Sequence, residues 1–170
     1  MINEKLEKEF NKQINAEFYS AYLYLSMSSY LSAINLNGFA NWMHVQYEEE
    51  QAHAMKMYNY LIERGGRVLL DTIEKPQSEW NGIIEVVEDV LKHEQKVTAL
   101  INNLMKIAHE ENDFAAISFL QWFVDEQVEE EANVEEMLQE LKLVEGKGAA
   151  LLMLDREAKT RVFAPIDANN

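Results

Sequence analysis

The chain has 170 residues, 48% of them apolar and 26% charged, and its thirty acidic against fifteen basic side chains leave a formal charge of -15. That length suits one domain with a sizeable core, and only six Gly and two Pro favour an all-helical globule over disorder. The acidic balance argues against nucleic acid as a partner, because phosphates need a basic surface. With no cysteine, disulfides, thiolate zinc sites and cysteine-ligated iron–sulfur clusters are excluded. No window approaches the ~20 uninterrupted apolar residues of a membrane span. The opening Met1-Ile2-Asn3-Glu4-Lys5 lacks the apolar run of a signal peptide, so the expected location is the cytoplasm.

Apolar residues recurring in steps of three and four predict an all-α chain. Helix one is expected over about residues 3–33, and its stripe reads Phe10, Ile14, Glu17, Ala21, Leu25, Ser28. A short turn at Ala33-Ile34-Asn35 leads to helix two, about 36–64, with the stripe Phe39, Met43, Gln46, Glu50, His53, Met57, Leu61. Gly65-Gly66 reads as its C-terminal cap. Residues 65–79 form one long connection containing Pro76.

Helix three, about 80–110, carries Ile83, Val87, Val90, Glu94, Val97, Ile101, Leu104 and Ala108. Asn112 is the candidate N-cap of helix four, about 113–144, whose stripe is Ala116, Phe119, Phe123, Gln127, Glu130, Val134, Met137, Leu141. A short fifth helix is expected over about 147–159, followed by an irregular tail around Pro165. Short turns make helices one and two antiparallel, and likewise three and four. The long connection can reach ~50 Å at ~3.3 Å per residue, so helices two and three can point the same way. The whole chain, 1–170, reads as a single four-helix bundle with one long crossover.

Each stripe is interrupted by a potential metal ligand at mid-helix. Roughly 14 to 18 residues from each start, at about 1.5 Å per residue, is ~21–27 Å along helices ~40 Å long. Ligands at that height meet in one layer whichever way each helix runs. An isolated buried carboxylate costs several kcal/mol, so four in register need a shared reason, and a metal cluster supplies one. Glu50-x-x-His53 is one ligand pair on a single helix face, Gln127-x-x-Glu130 is a second at the same spacing, and Glu17 and Glu94 come from the other two helices. This nearly matches the carboxylate pattern of di-iron bundles. Carboxylates with one imidazole suit iron or manganese, and the geometry does not exclude zinc.

With these residues in place, the chain resembles the bacterial non-haem ferritins over essentially its whole length. The resemblance rests on Glu17 with Tyr24 seven residues on, Glu50 and His53, Glu94, Gln127 and Glu130. Phe119-Leu120-Gln121-Trp122-Phe123 ahead of Glu126-Gln127, the crossover and the short fifth helix add to it. It differs from relatives that bind haem, which place Met after the helix-two glutamate and His in helix four. This chain has Gln51 and Glu130 there, so no haem is expected. Mini-ferritins lack the fifth helix, and rubrerythrins add a cysteine-ligated iron domain; neither matches.

What the resemblance implies is a ferroxidase. One Fe(II) would bind Glu17, Glu50 and His53; the other would bind Glu50, Glu94 and Glu130, with Gln127 nearby and Tyr24 beside the pair. A third iron position maps onto Glu49, Glu126, Glu129 and Glu130. Electrons would pass to dioxygen or hydrogen peroxide, and Fe(III) would be stored as mineral inside a homo-oligomeric shell of twenty-four chains, with iron storage and detoxification as the role. Ala149 to Leu154 would then cluster around a four-fold axis. Trp122 reads as core, and His44, His93 and His109 as surface or packing residues.

The alternatives are a di-iron oxidase or peroxidase that stores nothing, and a purely structural bundle. In the last case Glu94→Leu would cost little and could even raise the stability of the metal-free fold. The acidic three-fold channel of animal ferritins has no counterpart in Ala115-Ala116-Ile117-Ser118-Phe119-Leu120.

Overall fold

The computed structural model of the chain describes residues 1–166. Four long helices, α1 (Glu4–Ala33), α2 (Asn37–Glu63), α3 (Ile83–Glu110) and α4 (Phe114–Leu143), precede a short α5 (Gly148–Ala158). All four long helices end alike. The residue after the C-cap takes a positive φ, as Asn35 (63°), Gly65 (75°), Asn112 (54°) and Glu145 (54°). The next amide then reaches back to a carbonyl five residues earlier, as from Gly66 to Leu61 at 2.9 Å and from Asp113 to Ala108 at 2.9 Å. The expected Gly65-Gly66 cap of α2 has this form.

The same motif corrects the expected cap of α4. Asn112 is taken up as the left-handed residue that closes α3, a conformation Asn tolerates. The N-cap is its neighbour Asp113, whose side chain accepts from Ala116 N at 3.0 Å. Helix three likewise starts at Ile83, not near Trp80, because Gly82 takes φ 129° immediately before it. Trp80 remains buried, its indole N–H donating to Asp89 at 3.0 Å.

The core falls into two apolar halves. One joins the C-terminal half of α1 (Tyr24, Met27, Leu31) to the N-terminal halves of α2 (Phe39, Met43) and α3 (Val87, Val90) and the end of α4 (Val134, Leu141). The other joins Phe10 and Ile14 to Met57, Leu61, Ile101, Leu104, Leu120 and Phe123. Helices α1 and α2 are therefore antiparallel, as are α3 and α4, while α2 and α3 run the same way. The crossover makes this possible by lying along α1. Asn11 binds Arg67 O (3.0 Å) and Leu69 N (2.6 Å), Asn15 binds Thr72 O (3.2 Å), Ser26 binds Gln77 O (2.7 Å), and Tyr30 binds Trp80 O (2.7 Å).

The stripes of α2 and α3 are buried at every expected position. In α1, Leu25 and Ser28 are only half-buried, and Tyr24, Met27 and Leu31 take the core face. In α4, Phe119 and Met137 are half-buried, while Leu120 and Leu138 lie inside.

Helix α5 docks on its own bundle. Leu151, Leu154 and Ala158 pack against the first core half, and Asp155 Oδ1 accepts the free amides of Gly38 (2.9 Å) and Phe39 (3.0 Å) at the N-terminus of α2. Leu36, the N-cap residue of α2, makes no side-chain cap of its own, so α5 supplies one. Leu152 and Met153 stay exposed on the far side.

Candidate metal centre

Between the two apolar halves lies a polar layer: Gln13, Glu17 and Ser20 of α1, Gln46, Glu50 and His53 of α2, Glu94 of α3, Gln127 and Glu130 of α4. All five expected carboxylate and imidazole ligands are in it, none more than 5% exposed. A helical stripe buries every third or fourth side chain regardless of polarity, so each acid is carried inside by the apolar residues above and below it.

One atom each from Glu17, Glu50 and His53 lie within 4.8 Å of one another, the only such group of three among the described residues. His53 Nδ1 is 3.4 Å from Glu50 Oε2, and the ring is wedged edge-on against Trp122 (5.4 Å between centroids) and Phe123 (5.9 Å). Trp122 thus packs directly on a candidate ligand.

The other half of the layer is held by hydrogen bonds. Tyr24 donates its hydroxyl to Glu94 Oε1. Gln127 Nε2 donates to Glu94 Oε2 (3.2 Å) and Thr98 Oγ1 (3.1 Å). Gln46 Nε2 donates to Glu130 Oε2 (2.9 Å), and Gln13 Nε2 to Glu17 Oε1 (2.8 Å). Three amides and a phenol therefore orient the carboxylates, as supporting groups do around metal ligands.

Desolvation governs the charges. Burial, reinforced by the charge of Glu50, pushes Glu17 up to about 8. Burial and Glu130 push Glu94 up to about 7, and burial and Glu94 hold Glu50 well above the carboxylate range. Burial also holds the Tyr24 phenol well above its ordinary value, with Glu94 adding to it.

Even so, Glu17 Oε2 and Glu50 Oε2 are buried without hydrogen-bond partners. Unpaired buried oxygens in a layer of mutually repelling acids are what a cation would satisfy. The donor set therefore fits a divalent metal of the iron and manganese class.

The acids expected at a third position are more open. Glu49 and Glu126 are half-buried and Glu129 is exposed. Burial raises both Glu49, to about 7, and Glu126. Glu49 is paired with Arg161 of the C-terminal segment at 2.6 Å.

Reading the sequence assigned no role to Gln13, Ser20, Thr98 or Arg161. For Gln13 a signal exists, since it sits one helical turn before Glu17. Arg161 lies 112 residues from its partner, and nothing local announces it. His93, read as a packing residue, is one: it meets Ser20 Oγ at 2.8 Å and Tyr24 edge-on. Burial, helped by Lys96, pushes it down to about 4. His44 and His109 are exposed.

The chain is 39% identical over 163 residues to a bacterial non-heme ferritin of Staphylococcus saprophyticus, covering 96% of this chain and 98% of that one. Its identity to the counterpart in Staphylococcus aureus is 37% over the same coverage. Among solved structures, an engineered closed form of the Archaeoglobus fulgidus ferritin superposes with a TM-score of 0.95 at 51% identity, covering 96% of this chain and all of that one. The open-pore ferritin of that archaeon superposes with a TM-score of 0.94, also at 51% identity, over 95% of this chain and all of that one. The family model of the ferritin-like domain matches residues 7–144, and the chain, with its five helices and mid-bundle acidic layer, belongs to the ferritin family.

Proposed function

We propose that the protein is an iron-storage and iron-detoxifying ferritin with ferroxidase activity. The observation that carries the reading is the pair of unpartnered buried oxygens on Glu17 and Glu50, with His53 alongside, in a chain of this family. Iron is the substrate. One Fe(II) is bound by Glu17, Glu50 and His53, and a second by Glu50, Glu94 and Glu130. Each ion gives one electron to dioxygen or hydrogen peroxide, and the Fe(III) passes on to a mineral core.

The residues set up this reaction before iron arrives. Glu17, Glu50 and Glu94 hold protons that binding must displace, so affinity rises with pH. Gln13, Gln46, Gln127 and Tyr24 fix the carboxylates in place, and Gln127 acts through Glu94. Glu49, Glu126, Glu129 and Glu130 make a third iron position beside the pair.

The shell is a homo-oligomer of twenty-four chains in the cytoplasm, for which the exposed Leu152 and Met153 of α5 give an apolar contact. Among the described residues no helix is long and apolar enough to cross a membrane.

Aerobic loading with excess Fe(II), followed by size exclusion with iron and protein assayed across the eluate, tests this. Storage requires iron far beyond the ligand sets, travelling with a very large particle. Two or three irons per chain on a small species would instead make the protein a non-storing di-iron oxidase.

A further inference from the structure

Arg161, beyond the end of α5, is held on three sides. Asn41 Nδ2 binds its carbonyl at 2.9 Å and that of Lys159 at 3.4 Å. Its guanidinium lies 4.3 Å from the Trp42 ring centroid, a cation–π position. Its Nη2 donates to Glu49 Oε2 at 2.6 Å. The segment after α5 is thus folded back so that one positive charge lands on Glu49, close enough to Glu130 and Glu126 for their charges to act on the same carboxyl. The grip is single: Nη1 is buried and has no partner, so the pair lacks the two-pronged geometry that makes Arg–carboxylate contacts strong.

We propose that Arg161 is the resident counter-ion of the third iron position, occupying Glu49 and repelling a third cation until the C-terminal segment lets go. The inference rests on the third position of the proposed function. A cation bound by Glu49, Glu126, Glu129 and Glu130 must either displace the guanidinium or share Glu49 with it. The first two ions, bound by Glu17, Glu50, His53, Glu94 and Glu130, have no contact with Arg161 and should be indifferent to it. Arg161 therefore sets the order of filling: the buried pair first, the third position last. It also ties that position to the placement of the segment that follows α5.

The test is anaerobic titration of the assembled protein at pH 8 with Fe(II), repeated with Zn(II), in Arg161→Gln, Arg161→Lys and Asn41→Ala. Arg161→Gln should tighten the third ion by roughly 2- to 5-fold, the range for removing one partly exposed charge pair, and leave the first two unchanged. Arg161→Lys, which keeps the charge, should behave as the unaltered chain. Asn41→Ala frees the segment without touching the guanidinium and should give a smaller tightening, and it answers the question even if Arg161→Gln fails to assemble. Adding Glu49→Gln should abolish the effect of Arg161→Gln.

A third ion bound equally by all the proteins would overturn the role of Arg161 and leave the third position standing. Two ions per chain in every protein would remove the third position itself, and the inference with it.

Discussion

Gln46 of α2 donates through Nε2 to Glu130 of α4 at 2.9 Å, while its own Oε1 is buried with no partner. A core amide with one arm unmet is costly as pure packing, and its position makes sense as a clamp on Glu130. Gln46→Leu removes the clamp and the orphan together. The two effects on the metal-free fold oppose each other, so its stability should change by less than about 1 kcal/mol. Fe(II) affinity should fall about 10- to 100-fold, as when a group supporting a metal ligand is lost. Anaerobic titration beside a thermal melt reads both, and unchanged affinity would exclude Gln46 from the site.

Glu94→Leu should behave differently from the expectation drawn from sequence. On the pattern alone, replacing a buried acid with Leu could raise the stability of the metal-free protein. In the structure, Glu94 accepts from both Tyr24 and Gln127. Gln127 keeps Thr98 Oγ1 and the Glu94 carbonyl in a Leu variant, but the Tyr24 hydroxyl is stranded in the core, at roughly 1–3 kcal/mol. Glu94→Leu should therefore melt lower than the unaltered chain, whereas Glu94→Gln keeps a carbonyl acceptor and should melt close to it. Both should lose rapid Fe(II) oxidation, measured by stopped-flow absorbance. A Leu variant that melts higher would mean that the Tyr24 hydroxyl finds another partner.

These two cases show where sequence is informative. The stripes of α2 and α3 are legible because apolar residues recur with few competitors, so Glu50, His53 and Glu94 fall into register by counting. Helix α1 is apolar on more than one face, and stepping by four from Glu17 to Ala21 to Leu25 drifts about 40° each time against a 3.6-residue turn. The real seam turns to Tyr24, Met27 and Leu31. Asn112 and Asp113 are both good cap residues, and only the left-handed turn closing α3 decides between them. Hydrogen-bond direction is harder still. That Gln46 serves Glu130, and Arg161 serves Glu49, depends on contacts 84 and 112 residues apart.

The acidic layer should make the metal-free protein less stable as pH rises. Glu17 and Glu94 have folded values of about 8 and about 7, above the ordinary 4.5 of a glutamate, and Glu50 is raised as well. Between about 4.5 and 8 the folded state binds more protons than the unfolded one, so unfolding free energy falls with pH. The stability these acids contribute is fully present below their unfolded values and is lost as pH passes through 7 and 8, by a few kcal/mol for the cluster. Denaturant melts of the metal-free protein at pH 6 and 8.5 should show the drop, and Glu17→Gln should flatten part of it. Bound Zn(II) should reverse the trend, since binding becomes tighter as protons leave. A metal-free protein equally stable at both values would mean that the layer is ionised throughout.

The contact between α5 and the start of α2 gives a separate handle on assembly. Asp155 caps Gly38 and Phe39, and a Cβ on Gly38 would sit 1.5 Å from the Asp155 carbonyl oxygen. Gly38→Ala cannot be accommodated without moving α5. Asp155→Ala keeps the space and loses the cap, at about 1 kcal/mol. Both should leave the four long helices intact by circular dichroism, because α5 contributes only Leu151, Leu154 and Ala158 to the edge of the core. If Leu152 and Met153 join subunits, a displaced α5 presents them at the wrong angle. Sedimentation velocity should then show smaller species for Gly38→Ala, a milder shift for Asp155→Ala, and the largest loss for truncation after Glu145. A shell of full size from the truncated chain would show that assembly does not depend on α5, and that its docking on α2 serves the subunit alone.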